Sequence, residues 1–450
     1  MPKHSGQKQN SHTLAWIMWS ILALAFLIGY FHRLSLAVVM DYLILDFKIE
    51  DAAVAGSLAA IYALVYMIMQ IPTGLLADSW GTRKTVTAGM LVASGGSFIF
   101  ALAPNIFYAF LGRGLVALGV SVVFVCILKF QLNWFKPAQF ATITGLTGLI
   151  SNLGVVLGTT PLSLLVVSSG WRNSFLIIAA VTFITALACW LVVRDSPEEM
   201  QKGEYLSATQ TVNFRQLWEA LKNVLKNYRN FLLIAGTFGI YGILIAFTGT
   251  WSITYLMQIY GFSRSVAANF ILMATIGMCI GFPLIGFISD KLRRRKQPLL
   301  LLFLLQAVIW CLFFLWNGGK PPENALYILF FIMGITAGAS ALVIAIAKEI
   351  NDPSFSGTAL SVANTGAFLG MSIMQPLLGY ILDLRWNGVV VEGTKIYPLA
   401  AYRGLFAACL AFLAVCLFCT LFIKETYCQN IYLQDNKSSP ANSSQNIFAE

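Results

Sequence analysis

Long apolar runs recur from residue 14 to residue 423, and no other feature leaves the chain so few ways to fold. A helix needs about 20 mostly apolar residues to cross a bilayer. Runs of that kind lie at roughly 14–39, 54–77, 84–103, 107–133, 140–167, 174–193, 230–258, 266–288, 298–316, 326–347, 357–382 and 402–423. In lipid every backbone amide needs an internal partner, and runs of this length supply it as helices. The expected fold class is an all-α membrane protein with twelve transmembrane helices.

Composition removes the rivals. Only 11% of the chain is charged and 58% is hydrophobic. A soluble domain carries about a quarter charged residues, so a soluble enzyme is excluded. The phosphate-binding pattern G-x-x-x-x-G-K-[ST] is absent, which leaves an ATP-driven pump without support. The eight cysteines lie in or just after apolar runs, without metal-ligand spacing. No metal or cofactor is expected.

The net charge of +10 points to the membrane, not to nucleic acid. With the N-terminus placed in the cytoplasm, nineteen Lys and Arg fall in cytoplasmic segments, seven in outer loops and three within spans. That asymmetry predicts both termini inside, at the cell (inner) membrane. The expected parts are a tail at 1–13, a six-helix bundle at 14–193, a linker at 194–229, a second bundle at 230–423 and a disordered tail at 424–450. Within the linker, NFRQLWEALKNVLKNYRNF has helical apolar spacing with Lys and Arg between, and predicts a surface helix.

The halves repeat. GLLADSWGTRK at 74–84 answers GFISDKLRRRK at 286–296. Lys129 answers Lys348, Pro161 answers Pro376, and Arg194-Asp195 answers Lys424-Glu425. Four landmarks in the same order imply duplication. Parallel six-helix repeats of this kind, together with the loop motif, resemble the major facilitator superfamily over nearly the whole chain. The motif is carried by Gly74, Asp78, Gly81, Arg83 and Lys84, and again by Gly286, Asp290 and Arg294. LGRGLVALGVS at 111–121 and RDSPEE at 194–199 agree with that resemblance. GYFHRLSLAVVM at 29–40 resembles the Tyr-x-x-Arg of organic-anion and sugar-phosphate permeases. The resemblance implies two pseudo-symmetric bundles. Asp78 would reach the eleventh helix near Gly357, and Asp290 the fifth near Phe140 and Ala141. Such clamps on the cytoplasmic side would favour an outward-open state.

Ionisable groups inside a span are costly and mark function by default. Arg33 offers a planar fork suited to carboxylate or phosphate, with Tyr30 and His32 beside it. The resemblance implies that Arg113 helps proton coupling or shapes the central cavity; read alone, it pairs with Asp41 or backbone. Lys129 and its mate Lys348, which precedes Glu349, are expected to serve substrate or coupling. No Asp or Glu sits deep in any span, so a proton would ride on Asp41, Glu349, His32 or the substrate. On the seventh helix Tyr241, Trp251 and Tyr255 fall on one face at α-helical spacing. The expectation is a monomeric secondary transporter of a small polar, anionic organic solute, coupled to protons or a counter-solute. Efflux and a transporter-like membrane sensor are the alternatives.

Overall fold

The computed structural model describes residues 4–135, 137–195, 214–352, 356–391 and 394–432. Side chains at 4–12, 71, 74, 75, 77–79, 132, 137–142, 144, 145, 214–217, 220 and 356 lie outside that description. Eleven helices among the described residues are long and apolar enough to cross a membrane. They are span 1 (Thr13–Asp46), span 2 (Ala52–Gln70), span 4 (Ile106–Gln131), span 5 (Leu146–Ser169), span 6 (Trp171–Val192) and span 7 (Arg229–Tyr260). The others are span 8 (Arg264–Leu292), span 9 (Lys296–Gly318), span 10 (Glu323–Glu349), span 11 (Gly357–Leu384) and span 12 (Leu399–Leu421). Span 3 (82–101) is the second half of the helix Ala52–Ala101, set off from span 2 by a break at Gly81.

Gly81 has φ 78° and ψ 167°, a backbone region that only glycine adopts without strain. A Cβ there would also lie 2.4 Å from a carboxylate oxygen of Asp195. The loop motif's glycine is thus required twice over. Asp195 follows span 6 and accepts the Arg83 N–H at 2.8 Å, at the start of span 3. Glu425 follows span 12 and accepts the N–H groups of Arg295 (2.7 Å) and Lys296 (3.0 Å), at the start of span 9. A carboxylate at a helix start satisfies orphan donors and complements the positive end of the helix dipole.

The six-helix unit repeats in its packing. Span 1 lies on span 5 as span 7 lies on span 11, and span 3 on span 6 as span 9 on span 12. Span 3 approaches span 4 closely at Gly89–Gly119 and Gly96–Gly112. A Cβ at Gly119 would lie 2.2 Å from the Gly89 carbonyl oxygen, so small residues set this contact. Spans 2 and 11, 5 and 8, and 1 and 7 join the halves. Large side chains such as Leu91, Leu187, Leu304 and Phe418 are exposed on the outer surface, as a lipid-facing wall requires.

A helix at Phe214–Lys226 occupies the stretch expected to carry a surface helix. Trp218 is exposed and Val224 is buried. Asn230 holds its end, donating to the Val224 carbonyl at 2.7 Å and exchanging amide bonds of 2.9 Å with Asn351. Between spans 11 and 12, Val390–Val391 pairs antiparallel with Thr394–Lys395.

Candidate functional site

The sequence singled out Arg33, and the structure sets it at the joint between the halves. Its Nη1 donates to the Tyr241 hydroxyl at 3.3 Å, from span 1 to span 7. Its guanidinium lies 4.4 Å from the Tyr30 ring, 5.2 Å from Phe368 and 5.7 Å from Tyr66. Tyr66 stacks on Phe368 at 4.5 Å, closing span 2 against span 11. Four spans thus build one aromatic cage around one cation. Ring faces attract a cation without neutralising it. No carboxylate is among the described contacts of Arg33, and its Nε has no hydrogen-bond partner. A partly desolvated fork of this kind has donors to give to an anion.

Arg113 is 1% exposed and sits in the next layer. Its Nη1 donates to the His32 carbonyl at 3.1 Å, and its guanidinium lies 5.1 Å from the Tyr62 ring. Of the two structural partners expected for Arg113, backbone is the one it takes. Asp41 is engaged by Arg264 and Thr254 of the other half. The His32 ring is fully buried, and neither of its nitrogens has a partner. Tyr62 connects the two layers: its ring lies under Arg113 and stacks at 6.1 Å on Tyr66 of the cage, and its hydroxyl donates to the Gly29 carbonyl at 2.9 Å.

Other expected residues stand elsewhere. Lys129 is half-buried in span 4 toward the face carrying the termini. Lys348 is exposed, and its carbonyl accepts from Asn430. The Glu349 carboxylate is held by Arg295 at 3.1 Å and by the Thr426 hydroxyl. Trp251 donates its indole N–H to the Gln375 carbonyl at 3.0 Å, and Tyr255 donates to the Gly319 carbonyl at 2.9 Å within the aromatic core of the second half. Neither has a described contact with Tyr241 or Arg33. The reason is local: Phe238–Gly242 and Phe247–Trp251 are π-helical turns. Each closes i→i+5, so a face counted at α-helical spacing drifts. Tyr62, Tyr66 and Phe368 belong to the cage and were not among the expected site residues. The Tyr62, Tyr66, Gln70 spacing along span 2 was the available signal.

The described part of the gate motif engages its own half. The side chain of Asp78, like Gly74, lies outside the described residues. Arg83 donates its Nε to the Trp190 carbonyl at 2.8 Å, within the first half. Asp290 is paired with Arg295 of its own half at 2.7 Å, and the side chains of Phe140 and Ala141, expected near it, lie outside the described residues. Arg294 is exposed, and a Cβ at Gly286 would meet nothing. The described clamp sits on the opposite face. There Arg264 binds Asp41 and the Val38 carbonyl. Asp383 accepts the Ala52 N–H at the start of span 2, with Lys395 at 3.1 Å and the Tyr397 hydroxyl at 3.0 Å. Burial and the neighbouring Asp383 push the Tyr397 phenol above its ordinary range, so it donates as a neutral hydroxyl. Thr160 meets Asn269 at 2.8 Å and Ser163 meets Ser265 at 3.4 Å. Among the described residues the halves are therefore tied together on the face away from the termini.

Comparison with known proteins agrees with this geometry. The family model of the Major Facilitator Superfamily matches residues 18–280 and 233–437. A hexuronate transporter of Bacillus subtilis (strain 168) is 26% identical over 382 residues, covering 80% of this chain and 86% of that protein. The "Probable sulfoacetate transporter SauU" of Cupriavidus necator is 22% identical over 389 residues, covering 84% and 89%. Among solved structures, a bacterial homolog to the human lysosomal transporter Spinster, in inward-facing and unoccupied conformation, matches with TM-score 0.68 at 19% identity. That match covers 95% of this chain and 99% of the other. The chain belongs to the Major Facilitator Superfamily, as a multi-pass membrane transporter resembling the organic-anion and sugar-phosphate permease branch.

Proposed function

We propose that the chain is a secondary active transporter that carries a small organic anion on Arg33 by alternating access. The observation that carries this reading is the Arg33–Tyr241 contact: a cation without a described carboxylate partner, shared by both halves. An anion bound there touches both bundles, so its binding energy is felt by their relative motion. Hexuronate and sulfoacetate, for which two relatives are named, carry carboxylate and sulfonate groups, to which a guanidinium fork donates in bidentate fashion. The tyrosine hydroxyls and aromatic faces around Arg33 suit the hydroxyl-bearing ring and C–H edges of a sugar acid.

Alternating access is supported by the ties between the halves on the face away from the termini, Arg264–Asp41 and Asp383–Ala52. Proton coupling is assigned to His32, buried beside Arg113 with two unpartnered nitrogens. We further assign the termini to the cytoplasmic side of the inner membrane, from the Lys and Arg asymmetry of the loops, and a monomeric working unit.

The test is uptake by purified protein in proteoliposomes. Hexuronate, sulfoacetate and hexose phosphate are offered with and without an inward proton gradient. The expected result is uptake of one of these anions, accelerated by the gradient in the wild type and not in His32→Gln. Absence of flux for all three, or flux indifferent to Arg33→Lys, overturns the reading.

A further inference from the structure

The outer wall of the first half carries a groove unrelated to the cage. It lies where span 3 begins and span 6 ends, beside the Gly81 loop, and has a volume of about 690 Å³. Trp80 and Trp190 line it, with Lys84, Thr87, Leu91 and Leu187 between them. Its surroundings are those of a lipid-facing surface. Trp80 is 56% exposed and Trp190 44% exposed, and Leu91 and Leu187 stand out from the same wall.

Three features separate this groove from the ordinary apolar wall. First, its chemistry is graded along the membrane normal. Lys84 stands at the end nearest the loop, while Leu91 and Leu187 lie one to two helical turns deeper. Second, a wall of the groove is braced. Arg83 donates to the Trp190 carbonyl at 2.8 Å, and its guanidinium lies 4.5 Å from the Trp190 ring, adding a second fixed positive charge beside Lys84. Third, Thr87 lines the groove between the basic end and the two leucines, a polar side chain at the depth where an apolar wall gives way to Lys84.

We propose that this groove is a binding site for an anionic phospholipid of the leaflet on the side of the termini. The phosphate and headgroup sit at Lys84 and the Arg83 side, the glycerol-ester region reaches toward Thr87, and an acyl chain runs along Leu91 and Leu187 between the two tryptophans. Tryptophan rings suit the headgroup level of a bilayer, and basic side chains there attract anionic lipid. The occupant is taken from the bilayer, because the groove opens laterally among lipid-facing residues.

The site adjoins the joint between Gly81 and Asp195, three residues from Lys84. A lipid seated there bridges span 3 to span 6 outside the cap that Asp195 forms within. Binding to the folded protein alone raises its thermal stability.

The experiment uses the full chain, purified and relipidated, with phosphatidylglycerol and phosphatidylcholine of identical acyl chains as probes. Native mass spectrometry counts retained lipid, and thermal unfolding reports stabilisation. The wild type is expected to retain phosphatidylglycerol over phosphatidylcholine and to be stabilised by it. Lys84→Gln should lower that preference about five-fold, the value of one basic contact at a charged membrane surface. Ala88→Trp fills the groove and should abolish retention while leaving the circular dichroism unchanged. Leu91→Trp is the second filling variant, used where Ala88→Trp fails to fold. Equal retention of the two lipids by the wild type, or phosphatidylglycerol retention unaltered in a folded filling variant, overturns the proposal.

Discussion

Arg33 of span 1 donates to the hydroxyl of Tyr241 in span 7 across 3.3 Å, so one hydrogen bond joins the two halves at the centre of the molecule. Tyr241 stands within a π-helical turn, Phe238–Gly242, whose wider winding presents its side chain toward span 1. Gly242 in the same turn lies against Gly370 of span 11, where a Cβ would come within 2.8 Å of the Gly370 Cα. The helix that reaches across to the arginine is thus seated closely on its own half.

Arg33→Lys keeps the charge and loses the planar fork. A bidentate charged contact contributes about 1.5–3 kcal/mol, so the variant should lower apparent affinity for the transported anion about ten- to hundred-fold. Tyr241→Phe removes one neutral donor and acceptor and should cost about ten-fold or less. Concentration-dependent uptake in proteoliposomes measures both. A larger loss for Tyr241→Phe than for Arg33→Lys would contradict the assignment of Arg33 as the anion ligand.

The closed face yields a covalent test. The Ser163 and Ser265 hydroxyls are 3.4 Å apart, on span 5 of one half and at the start of span 8 of the other. Side-chain tips this close are within reach of a disulfide. Ser163→Cys with Ser265→Cys, in a background with the native cysteines replaced, should cross-link on mild oxidation. Transport should fall to background and return on reduction. Transport that continues through a complete cross-link would show that this face need not open.

The same face should also respond to crowding. A Cβ on Gly56 would lie 2.2 Å from the Gln375 carbonyl oxygen, and one on Gly379 2.2 Å from the Ala52 carbonyl oxygen. Backbone cannot yield as a flexible side chain does. Gly56→Ala should therefore wedge span 2 from span 11 and weaken the Asp383–Ala52 bond. A cysteine placed at Thr160, which meets Asn269 in the closed face, then labels faster with a water-soluble maleimide. Unchanged labelling would mean that the wedge is absorbed elsewhere.

What the sequence made legible follows from which signals are local. Apolar length and loop charge are local, and they predicted the spans. The match of Arg194-Asp195 to Lys424-Glu425 was also visible, and the structure gives it a physical basis in two carboxylate caps. Arg33 stood out because an ionisable group in lipid demands explanation. The cage around it did not, since Tyr66 and Phe368 are far apart in sequence and meet only when span 2 packs on span 11. Trp251 and Tyr255 do not share a face with Tyr241 as counted, because two π-helical turns upset an α-helical spacing. The partner of Glu349 was equally hidden, because Arg295 comes from the loop before span 9 and meets it only in the folded bundle.

The two caps should act independently and alike. Asp195 accepts the Arg83 N–H at the start of span 3, and Glu425 accepts those of Arg295 and Lys296 at the start of span 9. Loss of a cap costs about 0.5–2 kcal/mol, and the helix dipole adds its share for a charged cap. Asp195→Ala and Glu425→Ala should each lower the unfolding temperature of the purified protein by a few degrees. The milder Asp195→Asn keeps an acceptor and should lower it less. Because the caps lie in different halves and share no described partner, the double variant should show the sum of the single losses. Coupling well beyond that sum would mean that the two loops meet in a state other than this one. The uptake of Asp195→Ala separates the roles further. If the cap only stabilises span 3, the variant transports normally below its unfolding temperature. If the Gly81 loop must stay against Asp195 for the halves to rock, transport falls while the fold survives.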